Sequence, residues 1–209
     1  MPFYAIHLRG FLDTPPVLCY HPFEAMYMNA DLLSSAALNA GADNIARISS
    51  ARIMIDASFR KYCAQNACGC YGRCWVCPPD CGEIGDLERR IRAYPCALLY
   101  QTVGTLEDSF DADGMRRAKR RHLRVSQALQ TFLLQSAGAD FLHLSAGGCG
   151  VCETCAKITN EPCRHPERAL LSLEACGIDV YNTVKDTPLK YANGQNTVAY
   201  FGAVLYHEA

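Results

Sequence analysis

The chain has 209 residues, half of them apolar and a fifth charged, with a formal net charge of -1. That length supports one substantial core or two small ones, and the near-neutral balance argues against nucleic acid or a membrane surface as the main partner. No run approaches the roughly 18 apolar residues of a membrane span, and no basic stretch leads into an apolar segment as an export signal would.

Residues 1–28 carry Pro2, Pro15, Pro16 and Pro22 without sustained periodicity and read as an irregular extension. A true start at Met26 or Met28 would account for that irregularity. Asn29-Ala30-Asp31 predicts the cap of a helix running to Asn39 and closed by Gly41. Residues 44–55 alternate in part and are rich in Ile, which predicts a strand. A Gly- and Pro-rich cysteine loop occupies 62–82. Residues 83–94 read as a helix with Ile84, Leu87 and Ile91 on one side, and 97–103 as a buried strand between Pro95 and Gly104. Over 111–137 the residues Met115, Ala118, His122, Val125, Leu129 and Phe132 step by three and four, the stripe of a long amphipathic helix. A strand at 141–144 leads directly into a second cysteine loop. A helix near 166–176, a short segment at 178–187 and a last strand at 197–205 follow. Asn193-Gly194 is a turn signal suited to closing a hairpin before that strand. The alternation predicts an α/β fold with a small sheet of about four strands. Residues 29–209 then form a single metal-binding or iron–sulfur-binding domain, with both cysteine loops following strands and able to meet at one sheet edge.

The chain contains 13 cysteines. The count is odd, the chain is too large to need disulfide staples, and the thiols cluster at ligand spacing, so a reducing, cytoplasmic setting is expected. Cys149, Cys152 and Cys155 are spaced by two residues, and Cys163 follows after seven more. Short turns bring successive sulfurs to the same side of the backbone, as at the opening of a bacterial ferredoxin run. Structural zinc sites more often use two separated pairs. An iron–sulfur cluster is therefore the expected cofactor and zinc the alternative.

The first loop places Cys63, Cys68, Cys70, Cys74, Cys77 and Cys81 within nineteen residues. Free cysteine is often buried, but not six times in a Gly/Pro-rich loop. Its glycines permit the positive φ that turns amides toward sulfur, and Pro78 fixes the chain direction after a ligand. Trp75 and Tyr71 either shield a cluster from water or simply pack in the core.

With these residues in view, the stretch from about residue 29 to the end resembles a prokaryotic family of predicted metal-binding proteins of unknown function. Its signature reads C-x4-CGxYGxxWxCPP, then a glycine-preceded CxxCxxC, then PCRxPE and SxEAxGIDV. Here the pattern is carried by Cys63, Cys68-Gly69, Tyr71-Gly72, Trp75 and Cys77-Pro78-Pro79. It continues through Gly148-Cys149, Cys152, Cys155, Pro162-Cys163-Arg164, Pro166-Glu167 and the segment from Ser172 to Val180. The resemblance implies Cys63, Cys68, Cys77, Cys149, Cys152, Cys155 and Cys163 as ligands and implies no reaction. Cys70, Cys74 and Cys81 stand where that pattern has other residues. They either supply a missing fourth ligand, with Cys81 or Cys74 preferred, or build an extra site, or are neutral replacements. Loop two's four cysteines suit one [4Fe–4S] cluster, and loop one's three would leave an iron open unless a local thiol closes it. A crossed arrangement, with Cys163 serving the first loop, remains compatible with the spacing.

Other residues carry less. Arg164 follows a ligand and either donates to cluster sulfur or is an exposed salt-bridging residue, with Glu174 and Asp179 as its orienting carboxylates or as ordinary caps. His122 lies on the helix stripe as a half-buried packing residue, and His165 is the better histidine ligand. Arg116, Arg117, Lys119, Arg120, Arg121 and Arg124 form a basic run that is either a solvated face or a docking surface for an acidic redox partner. Cys19, Cys96 and Cys176 are expected as core thiols. No phosphate-binding glycine loop and no hydrolase motif is present. The expected function is electron transfer or an accessory redox role beside a partner enzyme. An open-iron enzyme acting on a small ligand and a zinc-stabilised interaction module are the two alternatives.

Overall fold

The computed structural model describes residues 27–209 apart from Ala137 and Ala139. The extension expected over 1–28 lies outside the described residues except for Tyr27 and Met28, and Cys19 lies outside them too. Met28 is buried, and its amide donates to the His207 carbonyl at 2.7 Å.

Helix α1 (Ala30–Asn39) opens as expected: the Asn29 side chain accepts from the amides of Asp31 and Leu32 at 3.0 and 2.9 Å. Such a cap satisfies amides that have no partner within the helix. Strand β1 (Asn44–Ser49) is shorter than its Ile-rich pattern predicts. The Ser49 hydroxyl accepts from the Ala51 amide and starts a single 3₁₀ turn, after which Ile53 is buried in the core. Helix α2 (Arg60–Ala64) begins the first cysteine loop, and α3 (Ile84–Arg92) follows it, burying Leu87 and Ile91. Strand β2 (Cys96–Thr105) leads to α4 (Ala112–Gln135), capped by the Asp111 carboxylate on the Gly114 amide. Strand β3 (Phe141–Ser145) enters the second cysteine loop. Strand β4 (Leu171–Ser172), helix α5 (Val180–Val184) and strand β5 (Thr197–Tyr206) complete the chain.

The fold is α/β, with a five-stranded mixed sheet in the order β1-β2-β5-β3-β4. Only the β3–β4 pair is parallel. The strand beyond the expected four is β4, inside the stretch that reads as a helix at 166–176. Pro166 opens a 3₁₀ turn there, and Leu171-Ser172 then pair with Leu144-Ser145. Cross-strand pairing overrides the local helical pattern. Asn193-Gly194 does turn the chain, with Gly194 at φ 103. No hairpin closes there, because the hydrogen-bonding neighbours of β5 are β2 and β3.

Alternation along the central strands divides the core. Leu98, Tyr100, Val204 and Tyr206 face α1 and α4, where they meet Leu33, Leu129 and Leu133. Ala97, Leu99, Ala203 and Leu205 face the other side, covered by α3 and the segment around Leu173, Ile178 and Val184. Each fully buried leucine contributes about 2 kcal/mol. Among the described residues no helix is long and apolar enough to cross a membrane.

A polar chain runs through the α4 side of this core. The Tyr100 hydroxyl lies 2.8 Å from Ser126 Oγ and 2.9 Å from His143 Nε2, and His143 Nδ1 lies 2.8 Å from Gln130 Oε1. Ser126 Oγ is also 2.8 Å from Ser145 Oγ, four residues before the second loop's first cysteine. His122 is not half-buried but fully enclosed, its ring stacked on Tyr100 at 5.5 Å and its Nδ1 3.0 Å from the Thr102 hydroxyl. Tyr100 finds room because its cross-strand neighbour is Gly202; a Cβ at that glycine would sit 2.1 Å from the ring.

Two outcomes follow. Gly202→Ala pushes Tyr100 out of this chain and is expected to cost about 1–3 kcal/mol in urea unfolding. The second concerns pH. Burial drives both imidazoles down, His122 to about 4 and His143 to about 3. An unfolded histidine titrates near 6.5, so below that pH the unfolded chain binds more protons and stability falls. The contribution is complete above about pH 6.5 and is lost as pH drops toward 4. Unfolding temperatures measured between pH 8 and 4 should show that decline, and His143→Gln should flatten it.

Candidate metal centre

The first loop is a series of turns held by its own backbone. Cys63 lies in α2, Asn66 and Gly69 adopt φ 55 and φ 73, and the Tyr71 amide donates to Asn66 Oδ1 at 3.0 Å. The Gly72 amide bonds the Pro78 carbonyl at 2.9 Å, closing a ring of backbone around Cys74 and Cys77. Gly72 stands at φ 65, where a Cβ would be strained. These reversals turn sulfurs that are close in sequence in two different directions.

Cys63, Cys68, Cys70 and Cys77 line one cavity of about 250 Å³, closed on its far side by Gly147-Gly148 of the second loop and by Glu174. Cys149, Cys152, Cys155 and Cys163 line a neighbouring, smaller cavity of about 40 Å³, together with Cys74. Nine of the thiols border these two cavities, and a third, of about 310 Å³, joins the loops, lined by Cys70 and Cys74 together with Cys149, Cys152 and Cys155; Cys163 lines the cavity of its own loop. Among the described residues no three His, Cys, Asp or Glu side chains converge on one point at single-ion distance. A soft, all-sulfur donor set of this kind suits iron–sulfur clusters, zinc or copper(I).

The two loops touch through sulfur. Cys70 Sγ lies so near Gly148 that a Cβ on that glycine would be 2.4 Å away. Cys74, which lines the second cavity, interacts with both Cys149 and Cys77 and so links the two loops. That interaction holds the Cys74 thiol well below the usual range. The same interaction, with burial added, pushes Cys77 and Cys149 above it. One thiolate among three sulfurs makes the next two harder to form. Burial also raises Cys63 and Cys70.

A second set of contacts clamps the loops from outside. Trp75 Nε1 donates to the Glu161 carbonyl at 2.9 Å, and Lys157 Nζ lies 4.3 Å from the Trp75 ring centroid. Lys157 also bonds Asp80 at 2.6 Å, the pair being 17% and 21% exposed. The other Asp80 oxygen is buried without a hydrogen-bond partner. Trp75 is therefore a clamp between loops, while the half-exposed Tyr71 borders the first cavity.

Four expected residues take other roles. Cys81 joins neither cavity; its sulfur lies 3.3 Å from Arg60 Nη2, whose guanidinium also holds the Gly82 carbonyl at 2.6 Å and, through Nε, the Ala175 carbonyl at 3.1 Å. Arg164 borders the second cavity, but its guanidinium donates to the Thr154 carbonyl. Glu174 accepts from the Gly147 amide at 3.3 Å, and Asp179 caps α5, so neither orients Arg164. His165 borders the second cavity. Cys176 is a core thiol, pushed by burial to about 12, whereas Cys96 is half-buried beside Glu208.

The basic run on α4 is not one surface. Arg121 donates to both oxygens of Asp43 at 2.6 and 2.8 Å and to two carbonyls, so it is a structural tie. Arg116 and Arg117 pair with Asp113 and Asp111. Lys119 reaches the first cavity: its Nζ would lie 3.2 Å from a Cβ on Gly147, and its charge acts on Cys70. Lys119, Lys157 and Cys70 are site residues that spacing alone did not select. Gly147-Gly148 was the available signal, since paired glycines mark a close approach.

Removing Lys157 leaves the Asp80 carboxylate facing the clamp alone. Lys157→Met is expected to cost about 1–3 kcal/mol in urea unfolding, and Asp80→Asn in the same chain should recover part of it.

The model of the DUF2284 family, described as a predicted metal-binding protein, matches residues 46–206. That span takes in both cysteine loops and all five strands apart from the first two residues of β1. No curated protein and no solved structure matches the chain.

Proposed function

Because the chain belongs to this family of predicted metal-binding proteins, we propose that it is an iron–sulfur protein that passes single electrons to a partner. Cys149, Cys152, Cys155 and Cys163 hold one [4Fe–4S] cluster. Cys63, Cys68, Cys77 and Cys70 hold a second. The observation that carries the reading is the gathering of nine thiols from both loops around three adjoining cavities, each lined by at least four. A single tetrahedral zinc draws four sulfurs to about 3.8 Å from one another, which is a poor match to the roomier first cavity. A fourth thiol in that cavity also removes the reason for an open iron.

Bound clusters supply one-electron redox chemistry. The chain's own residues hold and tune them. Lys119 and Arg60 bring positive charge beside a sulfur-rich centre, offsetting the negative charge that thiolates and sulfide carry. Trp75 and Lys157 close the seam between loops and limit water, which shifts the potential of a cluster. Arg120 and Arg124, exposed on α4, offer a face for a partner with acidic groups.

Anaerobic purification with iron, sulfide and zinc analysis tests this directly. The expected result is about eight irons per chain with matching sulfide. Cys152→Ser and Cys68→Ser should each remove about half of the iron and leave the spectrum of the other cluster. Stoichiometric zinc without labile sulfide would overturn the proposal.

A further inference from the structure

On the side of Glu174 away from the cysteines the fold leaves a second cleft, of about 260 Å³. It contains no sulfur. Its walls are the rings of Phe59, Tyr181, Tyr191, Tyr200 and Phe201, and its only charged lining residues are Glu174 and Asp179. The rings are arranged around a space and do not fill it. Tyr181 meets Tyr191 edge-on at 5.6 Å, and Tyr191 lies nearly parallel to Phe201 at 6.0 Å. Phe201 is buried as the floor, while Tyr181 and Tyr191 stand 57% and 53% exposed at the mouth.

The carboxylates are fixed in position. Both Asp179 oxygens accept from Asn182, at 3.0 and 2.6 Å, so the group is oriented. Glu174 uses Oε2 for the Gly147 amide at 3.3 Å, leaving Oε1 free. The Tyr200 hydroxyl is occupied by the Met115 carbonyl at 3.3 Å, so this tyrosine offers its ring to the cleft. Among the described residues that line the cleft, none is basic.

We infer that this cleft binds a small organic cation, of the substituted-ammonium class, with its alkyl groups against the tyrosine faces and its charge toward Glu174 and Asp179. Aromatic faces carry negative electrostatic potential and attract a cation within about 6 Å of the ring centre. A substituted ammonium is weakly hydrated and apolar at its surface, so it suits an enclosure of rings better than a metal ion does. A neutral guest would have no use for two carboxylates, and an anion would be repelled by them. The site goes beyond the cluster proposal, and no residue of it apart from Glu174 borders the cysteine cavities.

The test is calorimetric titration of the intact, metal-loaded protein with choline, and in parallel with 3,3-dimethyl-1-butanol, its uncharged isostere. Choline should bind saturably at one site, and the isostere about tenfold more weakly or worse. Glu174→Gln keeps an acceptor for Gly147 and should weaken choline by about tenfold. Tyr191→Leu, at a position away from the cysteine cavities, should do the same, with the iron content and unfolding temperature of that variant held as controls. Equal affinity for the isostere, no saturable binding, or unchanged affinity in both variants overturns the inference, as does tighter binding of a flat neutral ring such as riboflavin. Iron analysis of the same sample reports separately on the clusters, so zinc-loaded protein that still binds choline would sink only the redox reading.

Discussion

Cys70 sulfur rests against Gly148, and beside it Cys74 meets Cys149. Everything at the candidate metal centre depends on this meeting of two loops that are far apart in sequence. A side chain at position 148 would hold the loops apart and open the wall between the cavities. Free thiols crowded like this carry a cost. Their interaction pulls the Cys74 thiol below the usual range and, with burial added, pushes Cys77 and Cys149 above it. A protein has little reason to keep such a cluster unliganded, because desolvated, mutually opposed thiols contribute less to stability than packed apolar side chains. Coordination resolves the conflict by replacing protons with metal.

The sheet supplies the fixed frame for that meeting. Ser145 ends β3 and is bonded through Ser126 into the buried Tyr100–His143 chain, so the second loop leaves the sheet from an anchored point. On the other side, the Leu173 amide bonds the Ser145 carbonyl at 2.9 Å, which ties the Glu174 segment to the same strand end. The first loop is held by Arg60, which reaches the carbonyls of Gly82 and Ala175. Three segments are thus referred to one corner of the sheet before any ligand contributes. Polar groups inside the core usually weaken it relative to apolar packing, yet a fully satisfied chain specifies one arrangement. Here the specified point is where the cysteines begin.

What the amino-acid sequence reveals follows from how local each feature is. Ligand spacing is local, so Cys149, Cys152 and Cys155 group from spacing alone, while Cys163, after seven intervening residues, is compatible with either loop by spacing. The α4 stripe is local as well, and its helix runs within two residues of the expected bounds. Strand β4 is not local: Leu171 and Ser172 become a strand only because Leu144 and Ser145 are available beside them. The partition of the first loop's thiols is the clearest case. Cys70 and Cys74 are four residues apart and both border the cavity between the loops, yet only Cys70 also lines the first cavity and only Cys74 the second, while Cys81 leaves for Arg60. No composition or periodicity encodes those directions. His122 was placed on the correct face, but its complete enclosure depends on Tyr100 and Tyr200 from two other strands.

The basic residues of α4 make the same point for charge. By pattern they are one run. In the fold Arg121 is committed to Asp43 and to two backbone carbonyls, and its hydrogen bonds hold the Asp43 carboxyl below the usual carboxylate range. Arg116 and Arg117 are paired near the helix start, where Asp111 and Asp113 already favour the positive end of the dipole. Only Lys119 turns its charge toward the first cavity. A helical turn advances about 100° per residue, so neighbours in a charge run face different surroundings and do different work. The cation that matters to a sulfur-rich centre is the one whose azimuth on the helix points at Gly147.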